Sequence, residues 1–315
     1  MEKPRFIIEA SDAKSMGLST GLTLTQLLPT IVKSAQPLAR VPISKFHVAA
    51  VGVGISGRIF IGVNVEFPGL PFHHTIHAEQ FLLTNLSQNK ETQLQYLAVS
   101  AAPCGHCRQF LQEIRGASDI PLLITSESES KSEFTSLSEF LSHPFGPHDL
   151  LPKHVPLLLE PRNNDLSFLD TGSNVYSNNN NNNNNNSNII QSSISISISK
   201  LKIAALEAAN ESHAPYSESP SGVALLDSRG NVYKGSYMES AAYNPSLGPV
   251  QTAIIGFIAG ASAGDGSAEY GELVEAVLVE KDDAVVKQES TARLLLSSIA
   301  PQCGFNMFLC ISNNK

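Results

Sequence analysis

Charge is scarce in this sequence. Asp, Glu, Lys and Arg make up 16% of its 315 residues, against the usual quarter, and no cluster of Lys or Arg occurs along it. With 29 acidic and 21 basic side chains the net charge is −8. That balance opposes a phosphate backbone, so no nucleic acid is expected as partner and a small or neutral ligand is. Long apolar runs are missing too. Nothing approaches the roughly 20 consecutive apolar residues of a membrane span, which predicts a soluble chain with no membrane partner. The opening Met-Glu-Lys-Pro-Arg-Phe-Ile-Ile-Glu has neither a signal-peptide stretch nor a transit-peptide bias. Cysteines number only four, unlike a secreted disulfide framework, so reduced thiols and a cytoplasmic location are expected. What is present suffices for a real core: 42% of the residues are hydrophobic, and the length suits two medium domains.

The apolar spacing of Leu24, Leu27, Leu28, Ile31 and Val32 predicts a helix. Pro29 should either start it or kink it. From Val41 the pattern changes to strands: Phe46 to Val53, a turn at Ser56-Gly57, then Arg58 to Val63, which reads as a hairpin. Further strands are expected over 94–99 and 121–125, with helices beginning near His77 and near Cys104. This alternation of strands and helices indicates an α/β layer fold. An unbroken polyasparagine tract, Asn178 to Asn186, cannot bury enough apolar surface to hold a structure and reads as linker. The Ser-Ile alternation of Ile189 to Lys200 suits either the end of that linker or an edge strand.

Beyond Lys200 the chain repeats itself at an offset of 173: Ser44 meets Ser217, Gly57 meets Gly230, Gly62 meets Gly235 and Glu66 meets Glu239. At an offset of 185, Cys107-Arg108 meets Ala292-Arg293, which implies a longer surface loop in the second copy. The expected organisation is a helical segment over 1–40, a first unit over 41–152, a linker over 153–199 and a second unit over 200–315.

In the first copy His77-Ala78-Glu79 is followed by Pro103-Cys104-Gly105-His106-Cys107, a pattern shared with zinc deaminases. Two cysteines three apart at a helix start share one face, where the helix terminus favours thiolates and a metal. His77 adds a nitrogen donor. Three protein ligands leave the fourth tetrahedral position of Zn²⁺ open to water, whose pKa the metal lowers towards about 7. Glu79 is not needed for coordination and can reach that position as a proton shuttle. Alone, Cys-x-x-Cys also suits a redox pair or half of a structural zinc site, but Cys303 and Cys310 lie in the second copy at an unhelpful spacing of seven and read as core or surface thiols. His106 is expected to point away from the metal, and His73 and His74 to be solvated or hydrogen-bonded loop residues. At offset 173 the second copy carries Val250-Gln251-Thr252 in place of His77-Ala78-Glu79, and at offset 185 Glu289 and Ala292 in place of the cysteines. One zinc per chain follows.

These residues, with Phe-His-His-Thr-Ile-His-Ala-Glu-Gln, Ala-Ala-Pro-Cys-Gly-His-Cys-Arg-Gln-Phe-Leu and Met-Glu-Ser-Ala-Ala-Tyr-Asn-Pro, resemble the homodimeric, two-core-domain cytidine deaminases of bacteria and plants. The resemblance covers nearly the whole chain. It implies a duplicated α/β/α layer fold, a mixed sheet flanked by helices, whose second copy lacks the zinc site. It also implies that Asn64 and Glu66 hold ribose hydroxyls, that Phe46 stacks on the pyrimidine, and that Phe145 and Tyr243 help complete a pocket between subunits. On their own, Asn64 and Glu66 read as ordinary strand-end residues and Phe46 as core. The expected activity is zinc-dependent hydrolysis of cytidine and 2′-deoxycytidine to the uridine nucleosides and ammonia, in pyrimidine salvage. Two other readings use the same motif: an inactive duplicate that binds nucleosides or a related subunit, and a polynucleotide cytosine deaminase. Turnover separates the first from the enzyme, and the net negative charge weighs against the second.

Overall fold

The computed structural model describes residues 5–126, 133–168, 187–261 and 268–313; the polyasparagine tract lies outside them. In chain order the elements are β1 (Ile7–Ile8), α1 (Ala10–Thr20), α2 (Leu24–Ala35), β2 (Ala49–Gly54), β3 (Ile59–Val63), α3 (Ala78–Gln88), β4 (Leu94–Val99), α4 (Gly105–Phe110), β5 (Pro121–Ile124), β6 (Thr135–Ser136), α5 (Leu137–Phe140) and α6 (Pro147–Leu150). They continue as β7 (Leu166–Phe168), α7 (Ser187–Asn210), β8 (Ser221–Asp227), β9 (Val232–Ser236), α8 (Pro249–Ala261), β10 (Leu273–Lys281), α9 (Glu289–Ile299) and β11 (Gly304–Ser312). Among the described residues no helix is long and apolar enough to cross a membrane.

Every residue of β2 and β3 is buried, the mark of strands covered on both faces by helices. They lie in a mixed sheet of order β1-β3-β2-β4-β5-β6, in which only β4 and β5 run parallel. Helix α2 starts where Thr23 and Gln26 form a capping box, and it runs through Pro29 rather than beginning there. Its Leu27, Leu28, Ile31, Val32 and Ala35 are buried, the face its spacing predicts. A second sheet, β7-β11-β10-β8-β9, repeats the pairing: β8 is antiparallel to β9 and β10, and β10 is parallel to β11. The stretch Ile189 to Lys200 is helical, part of α7, and not an edge strand. Its period-two pattern yields to the helical spacing of Leu201, Ala205 and Ala209, which are buried in the second core. Within the expected linker, Leu157, Leu158 and Leu159 are buried and β7 pairs with β11.

The chain divides into two compact units. The first holds residues 1–161 with Met238–Leu247 and Ile255–Ala268, and the second holds the rest.

The repeat is legible in individual hydrogen bonds. Lys45 N–H donates to Val41 and Glu218 N–H to Ala214, and Lys45 and Glu218 both adopt positive φ, 58° and 52°. Phe46 N–H donates to Ser44 Oγ, and Ser219 N–H to Ser217 Oγ. All of these hold the offset of 173. The backbone bridges Val65–Ile76 and Met238–Leu247 then show the second copy losing two residues in the following loop. Beyond that loop the offset is 171, so His77 corresponds to Gly248 and Glu79 to Val250, not to Val250 and Thr252. Similarly, Arg108 N–H donates to Cys104 O and Ala292 N–H to Gln288 O. Cys104 and Cys107 therefore correspond to Gln288 and Thr291. A fixed offset fails here because loops change length while strand pairing and helix caps do not. No member of the His/Cys/Cys/Glu set has a counterpart under either register.

Gly62 on β3 lets α3 lie directly on the sheet: a Cβ there would stand 2.2 Å from Ala78 O and 2.4 Å from Leu82 N. Gly235 does the same beneath α8, where a Cβ would meet Ala253 N at 2.1 Å and Pro249 O at 2.3 Å. Because backbone cannot move aside as a side chain can, Gly62→Ala and Gly235→Ala should each destabilise the protein by about 1–3 kcal/mol in denaturant titration. Only Gly62→Ala should also lower zinc content, since it displaces the helix that begins at His77. Equal zinc loss in both variants would contradict this.

Candidate active site

Two helix starts converge on one point. His77 is the N-cap of α3 and Cys104 the N-cap of α4, with Cys107 one turn further and buried. The donor atoms form a tight triangle: Cys104 Sγ to Cys107 Sγ is 3.7 Å, and His77 Nδ1 lies 3.6 Å from Cys104 Sγ and 3.3 Å from Cys107 Sγ. The sulfurs are too far apart for a disulfide, and all four cysteines are free. Zinc bonds of about 2.3 Å to sulfur and 2.0–2.1 Å to nitrogen, at tetrahedral angles, require donor edges of about 3.8 and 3.6 Å. The donor set fits a zinc ion. Among the described residues these three form the one cluster of metal-type donors.

Charge at the triangle is unevenly shared. Hydrogen bonds from Cys107 and then His77 push the Cys104 thiol down to about 3, whereas the Cys104 thiolate, followed by burial, pushes Cys107 up. His77 is raised, chiefly by its bond to Cys104. A metal must therefore displace the Cys107 proton, and the His77 proton where present, but none from Cys104. Titrating zinc into metal-free protein at pH 6, below the pKa of about 7 of metal-bound water, in buffers of different ionisation enthalpy, should count between one and two protons released. Affinity should rise as pH rises. A count of three would contradict this charge distribution.

Glu79, in the first turn of α3, is 4% exposed. Burial raises its carboxyl above the usual carboxylate range, against bonds to its own backbone and to Cys107 that lower it. His106 stays out of the donor triangle, its ring centroid 5.1 Å from that of His77. Of the two readings for His74, solvated or hydrogen-bonded, the second fits: it is buried, in a turn closed by its N–H to Pro71 O. Cys310 lies in the second core, and Cys303 donates to Gly304 O at 3.4 Å.

A second group gathers around the loop before β2. Glu66 Oε2 accepts from Ile43 N–H at 2.9 Å and Ser44 N–H at 3.0 Å. Asn64 Oδ1 accepts from Val48 N–H at 2.9 Å while its Nδ2 donates to Phe46 O at 2.9 Å. Burial alone would raise the Glu66 carboxyl, but the bonds from Ser44 and Ile43 hold it below its ordinary value. Phe46 is not core: it stands 62% exposed on this loop, beside the strained Lys45. The Val65–Ile76 bridge sets the Glu66 strand end alongside the residue preceding His77.

Two further exposed aromatics belong to this unit. Phe145 follows a segment held by α4: Arg108 Nε donates to Pro103 O and its Nη1 to Phe140 O, both at 2.7 Å, and Gln109 Nε2 donates to Phe145 O. Tyr243, 69% exposed with φ 61°, lies in the Met238–Leu247 segment. Sequence reasoning passed over Gln80, Arg108 and Glu113. For Gln80 a signal existed, since it stands three residues after His77 at capping-box spacing.

One His/Cys/Cys triangle beside a buried glutamate, carried by a duplicated mixed sheet with helices, defines the class of single-zinc deaminase folds. The family model described as "Cytidine and deoxycytidylate deaminase zinc-binding region" matches residues 23–123, and a second model of the same description matches residues 137–293. Cytidine deaminase 1 of Arabidopsis thaliana is 54% identical, over 98% of this chain and 99% of its own. Cytidine deaminase 7 of the same plant is 46% identical over 98% and 95%. The chain belongs to the cytidine deaminase family.

Proposed function

We propose that this protein hydrolyses cytidine and 2′-deoxycytidine to uridine and 2′-deoxyuridine with release of ammonia. The observation that carries the reading is the buried Glu79 carboxyl two residues from His77, against a donor triangle of zinc dimensions. His77, Cys104 and Cys107 hold one Zn²⁺. Zinc in that place supplies Lewis-acid activation of water at neutral pH.

Glu79 accepts a proton from the attacking water and delivers it to the ring nitrogen, then takes the second proton from the new C4 hydroxyl and passes it to the departing amine. Water and the C4 amine thus become the carbonyl oxygen and ammonia. Burial suits this role, because a carboxyl raised above its ordinary value by its surroundings holds a proton more readily and can still give it back. Phe46 offers its exposed face to the pyrimidine. Asn64 and Glu66 meet the ribose hydroxyls with capacity their loop bonds do not consume: the Asn64 amide has a second hydrogen, and a carboxylate has about four lone-pair sites.

Phe145 and Tyr243, both exposed in one chain, complete the pocket in a homodimer. Residues 41–152 form the catalytic domain and 200–315 a non-catalytic partner fold. The work is pyrimidine salvage in the cytoplasm. The test is uridine formation from cytidine by zinc-replete protein, with single-stranded polynucleotide as a second substrate. Turnover of cytidine alone supports the reading, and no turnover of either favours an inactive duplicate.

A further inference from the structure

We propose that Gln80 is a positioning residue, tying the Met238–Leu247 segment to the backbone of His77 and so setting how tightly substrate is held. The inference rests on the deaminase reading above. Gln80 is 1% exposed and directly follows Glu79 on α3. Its Oε1 accepts from His77 N–H at 3.1 Å, which fixes the orientation of the amide. The opposite Nε2 then donates to Pro245 O at 2.9 Å. A neutral amide performs both tasks at once, whereas an ionised carboxylate has no donor and an ammonium no acceptor. A buried amide is also costly to leave half satisfied.

The segment is held at two more points. Thr84, one turn further along the same face of α3, directs Oγ1 at Met238 Sδ, 3.6 Å away. Ala241 N–H donates to Oε1 of the fully buried Glu113 at 2.7 Å. Tyr243 lies between the anchors at 241 and 245, its N–H on Ser240 O and its carbonyl accepting from Ser246. Gln80 therefore reaches the exposed Tyr243 ring through the backbone two residues away. Gln251 stands where Gln80 does in the first copy, and its Oε1 folds back over Gly248, though no donor or catalytic carboxylate remains there. The link to Pro245 is what Gln80 adds.

Gln80→Glu keeps an acceptor for His77 N–H but sets an oxygen against Pro245 O. In the full-length, zinc-loaded protein this variant should retain one zinc per chain and a kcat within about threefold of wild type. Its KM for cytidine should rise about tenfold or more, and hydrogen exchange over 238–247 should accelerate while α3 keeps its protection. Gln80→Met, apolar and of similar length, is the second variant. Having lost both bonds, it should show the same KM and exchange changes and also bind zinc about tenfold more weakly. Unchanged KM and exchange in Gln80→Glu would overturn the proposal, as would a fall in kcat alone or loss of its zinc. Should wild type fail to turn over cytidine, the deaminase reading falls, and zinc content and exchange still decide the clamp.

Discussion

Glu79→Gln is expected to lower kcat for cytidine by about 10³-fold while one zinc ion per chain stays bound, as read by uridine formation and metal analysis. The replacement has nearly the same shape and still hydrogen-bonds, so the donor triangle keeps its neighbour. What it cannot do is carry a proton between water, ring nitrogen and amine. Turnover within tenfold of wild type would rule out the shuttle. The same variant should gain stability in the metal-free protein, and the gain has a pH signature. Burial raises the folded-state pKa of Glu79 above the unfolded value of about 4.3. Its contribution is therefore complete below the unfolded value and is lost as pH rises through the folded one. Denaturant midpoints of the metal-free proteins should nearly coincide near pH 4, with Glu79→Gln the more stable at pH 7. A site arranged for chemistry rather than stability is expected to behave this way.

Cys104→Ala should reduce zinc from one ion per chain to nearly none and remove about 10³-fold or more of kcat/KM together with it. The triangle explains the size of the effect, because two donors left 3.3 Å apart, Cys107 Sγ and His77 Nδ1, no longer enclose the ion. Binding to the folded state alone stabilises it in proportion to the logarithm of metal concentration over Kd. The variant should therefore melt where chelator-treated wild type melts. Cys303→Ala is the control. That thiol donates to Gly304 O in the second unit, and zinc content should stay at one. Two zinc ions per wild-type chain would contradict the loss of donors at Gly248, Gln288 and Thr291.

Much of this was readable along the chain because the informative signals are local. His-x-Glu and Cys-x-x-Cys place their side chains through helix geometry alone, and apolar runs of strand length marked β2 to β5 and, with the turn at Gly57, the hairpin. The repeat at an offset of 173 was visible as scattered identities. It became a register only when paired bonds such as Lys45 to Val41 and Glu218 to Ala214 aligned the copies. Past the loop after Val65 the sequence carried no mark of the two missing residues, since a deletion there leaves every local pattern intact.

Residue identity and short spacing were enough for the metal-type donors, the fold class and the loss of those donors in the second copy. Tertiary packing alone shows that Phe46 is exposed, that Asn64 and Glu66 brace its loop, and that Gln80 and Glu113 hold Met238–Leu247. These depend on contacts between residues as many as 165 apart, the separation of Gln80 and Pro245. Chain packing creates such contacts, and no periodicity encodes them.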